Sequence, residues 1–177
     1  MIDYLNLHIS IETLLWLFPI TFLIHDFEEI IFVEEWFKKN YGKVSGRIPN
    51  HMRKTFDELA QTTAAKFSIP VFLQFIFYIV ATYLAVEQDF LGPFIGFNVL
   101  LFLHVFMHIG QSLFLGTYAL GVGTAIVITA PYSIYLFYRL LAEQLIEYSD
   151  LVINLPYGII TVIVLLWGHK VSNRVLS

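Results

Sequence analysis

A short run of ionisable residues interrupts the first long apolar segment of the chain. It reads His25-Asp26-Phe27-Glu28-Glu29. On a helix with about 100° per residue, Glu29 falls about 40° to one side of His25 and Glu28 about 60° to the other. An imidazole flanked by two carboxylates therefore lies on one face of the predicted helix. Because an ionisable residue inside a membrane span costs at least about 2.5–3.5 kcal/mol, this face indicates a functional site.

A second polar patch lies on a later apolar segment. His104 and His108 are one helical turn apart, and Gln111 follows at the next turn of the same face. In the predicted spans given below, His25 and His104 come about 12 and about 11 residues after the start of their spans, so the two patches lie at matching depth. The sequence therefore predicts one site shared by two helices.

Imidazole and carboxylate groups at this spacing are typical ligands of zinc, iron or manganese. The His-x-x-Glu-Glu spacing also resembles the inverted zinc-peptidase motif H-x-x-E-H, with the last histidine replaced by glutamate. On this interpretation His25 and Glu29 bind a divalent metal, zinc being favoured, and Glu28 is the general base that activates water. His104 or His108 completes the coordination, and both are candidate ligands.

Two further residues are candidates for catalytic roles. Tyr118 lies in a short turn, residues 117–121, that follows the span with the two histidines, and its hydroxyl can donate a hydrogen bond to a substrate oxygen or a developing anion. Gln111 is the second candidate, on the same face as His104 and His108. Gly121 permits a tight turn between two spans.

The composition excludes several classes of protein. Of 177 residues, 58% are hydrophobic and 14% are charged, against roughly 45–50% and about 25% in soluble domains. A water-soluble enzyme and a disordered chain are therefore excluded. Only ten residues are Lys or Arg, which argues against nucleic-acid binding. The absence of cysteine excludes disulfides and thiolate ligands.

Five apolar segments are predicted to form one transmembrane domain, 1–177, of the all-α class. They cover residues 13–33, 67–86, 93–115, 120–141 and 151–167. Helices are expected because the lipid interior cannot satisfy the backbone of other open structures. Pro131 predicts a kink in the fourth span. Between the first two spans, a basic helix from Asn50 to about residue 65 is expected to lie at the membrane interface.

The placement of basic residues predicts the orientation. With the loop after the first span in the cytoplasm, nine of the ten Lys and Arg residues lie inside and Arg139 alone lies outside. The nine are Lys38, Lys39, Lys43, Arg47, Arg53, Lys54, Lys66, Lys170 and Arg174. This asymmetry predicts an inner (plasma) membrane protein with its N-terminus outside and its C-terminus in the cytoplasm.

These motifs resemble those of the HXXEE family, uncharacterised and mostly bacterial membrane proteins. The family's first motif corresponds to His25, Glu28 and Glu29, and its further histidine to His104 or His108. Its third motif, Tyr-x-Pro-Gly, has Leu120 in place of proline in the run from Tyr118 to Gly121. The resemblance implies no activity.

From the residues, we expect a metal-dependent hydrolase that acts on a lipid-like or membrane-delivered substrate. One alternative is metal-free acid/base chemistry on an apolar substrate, such as cyclisation or isomerisation, with Glu28 protonated through burial. Others are ion- or proton-coupled transport or binding, and a structural protein whose buried polar cluster only joins helices. The expected partners are membrane lipid and the substrate, without nucleic acid. An oligomer is compatible with the sequence.

Overall fold

The structure, a computed structural model that describes residues 2–176, consists of helices joined by short turns, and no strand occurs in that range. The helices are α1 (Ile2–His8), α2 (Ile11–Val44), α3 (Asn50–Leu59), α4 (Ala64–Glu87), α5 (Gly92–Leu115), α6 (Val122–Ala142), α7 (Tyr148–Ile153) and α8 (Leu155–Val175). Within that range, four stretches are long and apolar enough to cross a membrane: α4, α5, α6, and α7 with α8. The pair of α1 and α2, bent by 102°, makes a fifth if it is counted as one span. The predicted all-α membrane bundle is confirmed.

Several helix boundaries differ from those predicted, and local capping explains two of them. The basic helix α3 ends at Leu59, and α4 begins at Ala64 because the Thr63 side chain accepts a hydrogen bond from the backbone N–H of Lys66 at 3.2 Å. The fifth predicted span is broken at Asn154, whose side chain donates to the Asp150 carbonyl oxygen at 2.9 Å. Helix α1 was not predicted.

Aromatic and aliphatic packing at one end of the bundle fixes the three helices that carry the site. The Phe18 ring on α2 lies 4.5 Å from the Tyr78 ring on α4 and 5.3 Å from the Phe94 ring on α5, centroid to centroid. Leu136 and Leu140 on α6 are buried in the same core. Helices α2 and α5 run from this core in the same direction, and α6 runs antiparallel to them. The later residues of α2 and α5 therefore contact the first turns of α6.

The first turns of α6 contain a π-helical segment, Ala125–Thr129, in which the Ala130 N–H donates to the Ala125 carbonyl oxygen. Pro131 follows directly, and its lack of a backbone N–H removes one regular helical hydrogen bond. A π turn thus comes just before Pro131, where the sequence predicted a kink. Such turns are frequent at functional sites. This one contacts both α2 and α5.

Candidate metal centre

Four predicted ligands from two helices converge on one point. His25 and Glu29 on α2, and His104 and His108 on α5, each offer a ligand atom, and these atoms all lie within 4.8 Å of one another. The Nε2 atom of His108 is 2.8 Å from Nε2 of His104 and 3.3 Å from Oε1 of Glu29. Ligand atoms about 2.0–2.1 Å from a tetrahedral metal are separated by about 3.3 Å. The two separations at His108 are close to this value, and all four donors lie within 4.8 Å of one another.

The cluster lies inside the bundle and is slightly open on one side. His25 and His108 are buried, whereas the Glu29 side chain keeps 13% of its surface exposed and His104 is partly buried. The His25 ring centroid is 4.9 Å from that of His108 and 5.4 Å from that of His104. The i, i+4 spacing on each helix produces this arrangement, because it places both ligands of a helix on the face turned to its neighbour.

One buried imidazole nitrogen fits a missing ligand. Within residues 2–176, Nε2 of His25 is buried without a hydrogen-bond partner. Leaving such a group unsatisfied costs about 1–3 kcal/mol. The other nitrogen of the same ring, Nδ1, is 3.0 Å from the Thr124 hydroxyl oxygen. A metal-ligating histidine typically has this arrangement, with one nitrogen held by the protein and the other left for the ion.

Glu28 lies beside the four-residue group and has a different environment. Its Oε1 accepts hydrogen bonds from the Tyr118 hydroxyl at 2.5 Å and the Gly121 N–H at 3.1 Å. Its Oε2 accepts from the Thr124 N–H at 2.8 Å and the Thr124 hydroxyl at 2.6 Å. The carboxylate therefore satisfies free N–H groups at the start of α6, as a capping side chain does. It joins α2 to the loop that precedes α6.

The sequence analysis did not identify Thr124 as a site residue. In the structure it contacts two predicted site residues on α2, His25 and Glu28. It is a polar residue in the fourth predicted span, and nothing in its neighbours distinguishes it from the other threonines of that segment. Its contacts with His25 and Glu28 join residues 99 and 96 positions apart. Such contacts become visible only when α6 is placed against α2.

Gly121 closes the cluster from the loop side. Its φ angle is +83°, in the left-handed region that favours glycine. A Cβ atom at this position would lie 2.6 Å from Glu29 Oε1 and 2.6 Å from His108 Cε1. The predicted tight turn is therefore also a close contact with two of the four candidate ligands. The turn adopts this form with Leu120 before the glycine.

Tyr118 and Gln111 occupy different positions relative to the cluster. Tyr118 is 54% exposed, donates to Glu28, and accepts from the Gly123 N–H at 2.9 Å. Partial burial raises the pKa of Tyr118, and the hydrogen bond to Glu28 and its charge raise it further. Gln111 is exposed, and in the described chain its side chain makes no hydrogen bond. The catalytic role of Gln111 therefore stays a prediction.

A family model described as "protein of unknown function with HXXEE motif" matches residues 16–136. The match runs from α2 into α6 and includes every residue of the cluster together with Glu28, Tyr118 and Gly121. No curated protein and no solved structure gives a significant match.

Proposed function

Because the chain belongs to the HXXEE family, whose function is unknown, we propose from the site itself that the protein is a membrane-embedded, metal-dependent hydrolase. The observation that carries the proposal is the convergence of three imidazoles and one carboxylate within 4.8 Å. Zinc, iron and manganese all accept this donor set, and zinc is favoured because imidazole nitrogen and carboxylate oxygen are among its usual ligands. The buried Nε2 of His25, which has no hydrogen-bond partner in the described part of the chain, supports the same ligand set.

All four residues of the cluster bind the metal in this proposal, and one of them also transfers a proton. His25, His104 and His108 are the neutral ligands, and Glu29 supplies the charged one through Oε1. A bound divalent metal supplies Lewis acidity, which polarises a carbonyl group and activates water. The other oxygen of Glu29 takes no part in the contact with His108, and we assign it as the proton acceptor.

The proposal gives Glu28 a role other than the general base predicted from the sequence. A base needs an oxygen lone pair directed at water, but each Glu28 oxygen already accepts two hydrogen bonds. Four donors around one carboxylate also suit its ionised form, which can only accept. This environment argues against the metal-free alternative, which requires a protonated Glu28. We therefore assign proton transfer to Glu29 and loop anchoring to Glu28.

In this scheme the reaction is hydrolysis of an ester or amide. Water attacks the carbonyl carbon and gives one proton to Glu29, and the carbon–oxygen or carbon–nitrogen bond of the substrate breaks. Glu29 then returns the proton to the leaving group, so an acid and an alcohol or amine are released. Charged and polar groups of the site stabilise the charge that develops in the transition state, which water stabilises in the uncatalysed reaction.

The surroundings of the site favour a lipid-like substrate. Phe27 on α2 and Met107 on α5, each next to a site residue in the chain, are 47% and 56% exposed on the outside of the bundle. In a membrane these side chains face acyl chains, so a molecule that reaches the partly exposed His104 and Glu29 from the side crosses apolar surface. A polar substrate would lose its hydration on that route.

The location and orientation of the protein belong to the same proposal. The protein is placed in the plasma membrane, with the N-terminus outside and the C-terminus in the cytoplasm, on the nine-to-one distribution of basic residues. Glu29 then lies in the cytoplasmic half of the membrane. The turn with Tyr118 also lies on the cytoplasmic side.

A hydrolysis assay in detergent or liposomes tests the reaction. The purified protein is incubated with acyl esters of increasing chain length, and the released acid is measured by mass spectrometry. We expect hydrolysis that increases with chain length, stops on chelation and returns when zinc, iron or manganese is added. Glu29→Gln should be inactive, whereas His51→Ala, on the exposed face of α3, should match wild type. Turnover that survives both chelation and Glu29→Gln would refute the hydrolase proposal.

A further inference from the structure

The hydroxyl of Thr124 lies between a carboxylate and a candidate ligand. Its oxygen is 2.6 Å from Glu28 Oε2 and 3.0 Å from His25 Nδ1. The backbone N–H of Thr124 also donates to Glu28 Oε2, at 2.8 Å. The side chain is thus held on two sides, in the first turn of α6, next to the π-helical segment.

Hydrogen-bond donors and acceptors fix the direction of this chain of contacts. The Thr124 hydroxyl carries one hydrogen, and an ionised carboxylate can only accept, so the hydrogen is directed to Glu28. The alternative acceptor, the Gly121 carbonyl oxygen, is farther away at 3.3 Å. Toward His25 the hydroxyl oxygen must then accept. The Nδ1 atom of His25 therefore carries the ring proton, and the lone pair is on Nε2.

We propose that Thr124 is a positioning residue that selects the Nδ1–H form of His25 and aims its Nε2 lone pair at the metal position. This inference rests on the proposed metal centre and adds a residue from a third helix to it. Residues that hydrogen-bond to the other ring nitrogen of a ligating histidine orient the ring, and their loss typically weakens metal binding 10- to 100-fold. Here the Thr124 hydroxyl lies between the Glu28 carboxylate and the His25 imidazole. A residue of α6 therefore determines the tautomer and orientation of a ligand on α2.

Metal affinity and the histidine tautomer are measured on matched variants. Thr124→Val removes the hydroxyl at nearly constant shape, and Thr124→Ser keeps it. Thr129→Val is the control, since Thr129 is also buried on α6 and its hydroxyl has no hydrogen-bond partner within residues 2–176. Zinc affinity is obtained by competition with a chelator. The tautomer of His25 is read from ¹⁵N chemical shifts in the metal-free protein, assigned with His25→Ala.

We expect Thr124→Val to bind zinc 10- to 100-fold more weakly than wild type and to lose the Nδ1–H form as the dominant tautomer of His25. Thr124→Ser and Thr129→Val should behave like wild type in both measurements. If Thr124→Val fails to fold, Thr124→Ala removes the same hydroxyl without a second methyl group and carries the same expectation. Wild-type zinc affinity and an unchanged tautomer in the hydroxyl-free variant would overturn the inference.

The tautomer measurement separates this inference from the proposed function. It uses the metal-free protein, so it reports on the contact between Thr124 and His25 whether or not a metal binds. Wild-type protein that binds no metal but shows the Nδ1–H form, lost in Thr124→Val, would refute the metal centre and retain the positioning contact. Wild-type protein that binds metal but has an Nε2–H ring at His25 in its metal-free form would retain the metal centre and refute the positioning contact.

Discussion

Gly121→Ala should weaken metal binding as well as destabilise the fold. An alanine at φ +83° costs roughly 1–2 kcal/mol in backbone strain. Its Cβ would also lie 2.6 Å from Glu29 Oε1 and from His108 Cε1, whereas ordinary contact begins at 3.4 Å. The difference, 3.4 − 2.6 = 0.8 Å, must be absorbed by movement of the loop or of these two side chains.

Movement of the side chains changes the site directly, because the two residues are candidate ligands on different helices. A Cβ between them pushes Glu29 and His108 in different directions and enlarges the ligand shell. We expect a loss of zinc affinity of about 10- to 100-fold, which corresponds to about 1.4–2.8 kcal/mol. The free energy of unfolding of the metal-free protein should also fall, by at least the roughly 1–2 kcal/mol of backbone strain.

Chelator competition measures the zinc affinity, and denaturant unfolding in detergent measures the stability. Gly110→Ala is the matched control, since Gly110 lies on α5 two residues after His108 and a Cβ there meets no atom within 4 Å. Alanine is also the better helix former, by about 1 kcal/mol. The control should therefore bind zinc as wild type does. Gly121→Ala with wild-type zinc affinity would refute the contact between the loop and the ligands.

Three other predictions address the carboxylates, the loop and the topology. Glu29→Gln should lose both zinc binding and turnover, whereas Glu28→Gln should keep zinc with reduced affinity; a Glu28→Gln protein with wild-type affinity and no turnover would restore Glu28 as the base. The pKa of Tyr118 is raised in the folded protein, so its hydrogen bond to Glu28 should stabilise the fold at pH values below the usual tyrosine pKa of about 10. This stabilisation should be lost as the pH rises above that value. The free energy of unfolding should therefore fall with rising pH in wild type and fall less in Tyr118→Phe. A reporter fused to the C-terminus should be cytoplasmic and one fused to the N-terminus external; the opposite result would refute the orientation.

The sequence predicted the parts of the fold and site that depend on local spacing. Long apolar segments identified the membrane helices, since the lipid interior imposes a minimum length of apolar chain. The i, i+4 spacing of His25 with Glu29, and of His104 with His108, identified two faces, and their matching depth predicted that the faces meet. Each of these inferences uses a period or a length that can be read along one segment.

The remaining features depend on how separate segments pack together. The contacts of Thr124 with α2 and the close approach of Gly121 to Glu29 join residues more than 90 positions apart. The capping of α6 by Glu28 is equally non-local, and it could not be distinguished in sequence from a catalytic glutamate. The break at Asn154 is local, but asparagine also occurs inside helices, as Asn98 does in α5. Its position therefore did not predict a helix end.

Elemental analysis of the purified protein is the most direct test of the proposed metal centre. Protein produced in medium with zinc, iron and manganese, and purified without chelators, should contain about one transition-metal ion per chain. His25→Ala and His108→Ala should each lose the ion, and His51→Ala should retain it. Wild-type protein without metal, or a His25→Ala variant with the full complement, would contradict the assignment of this cluster as a metal site.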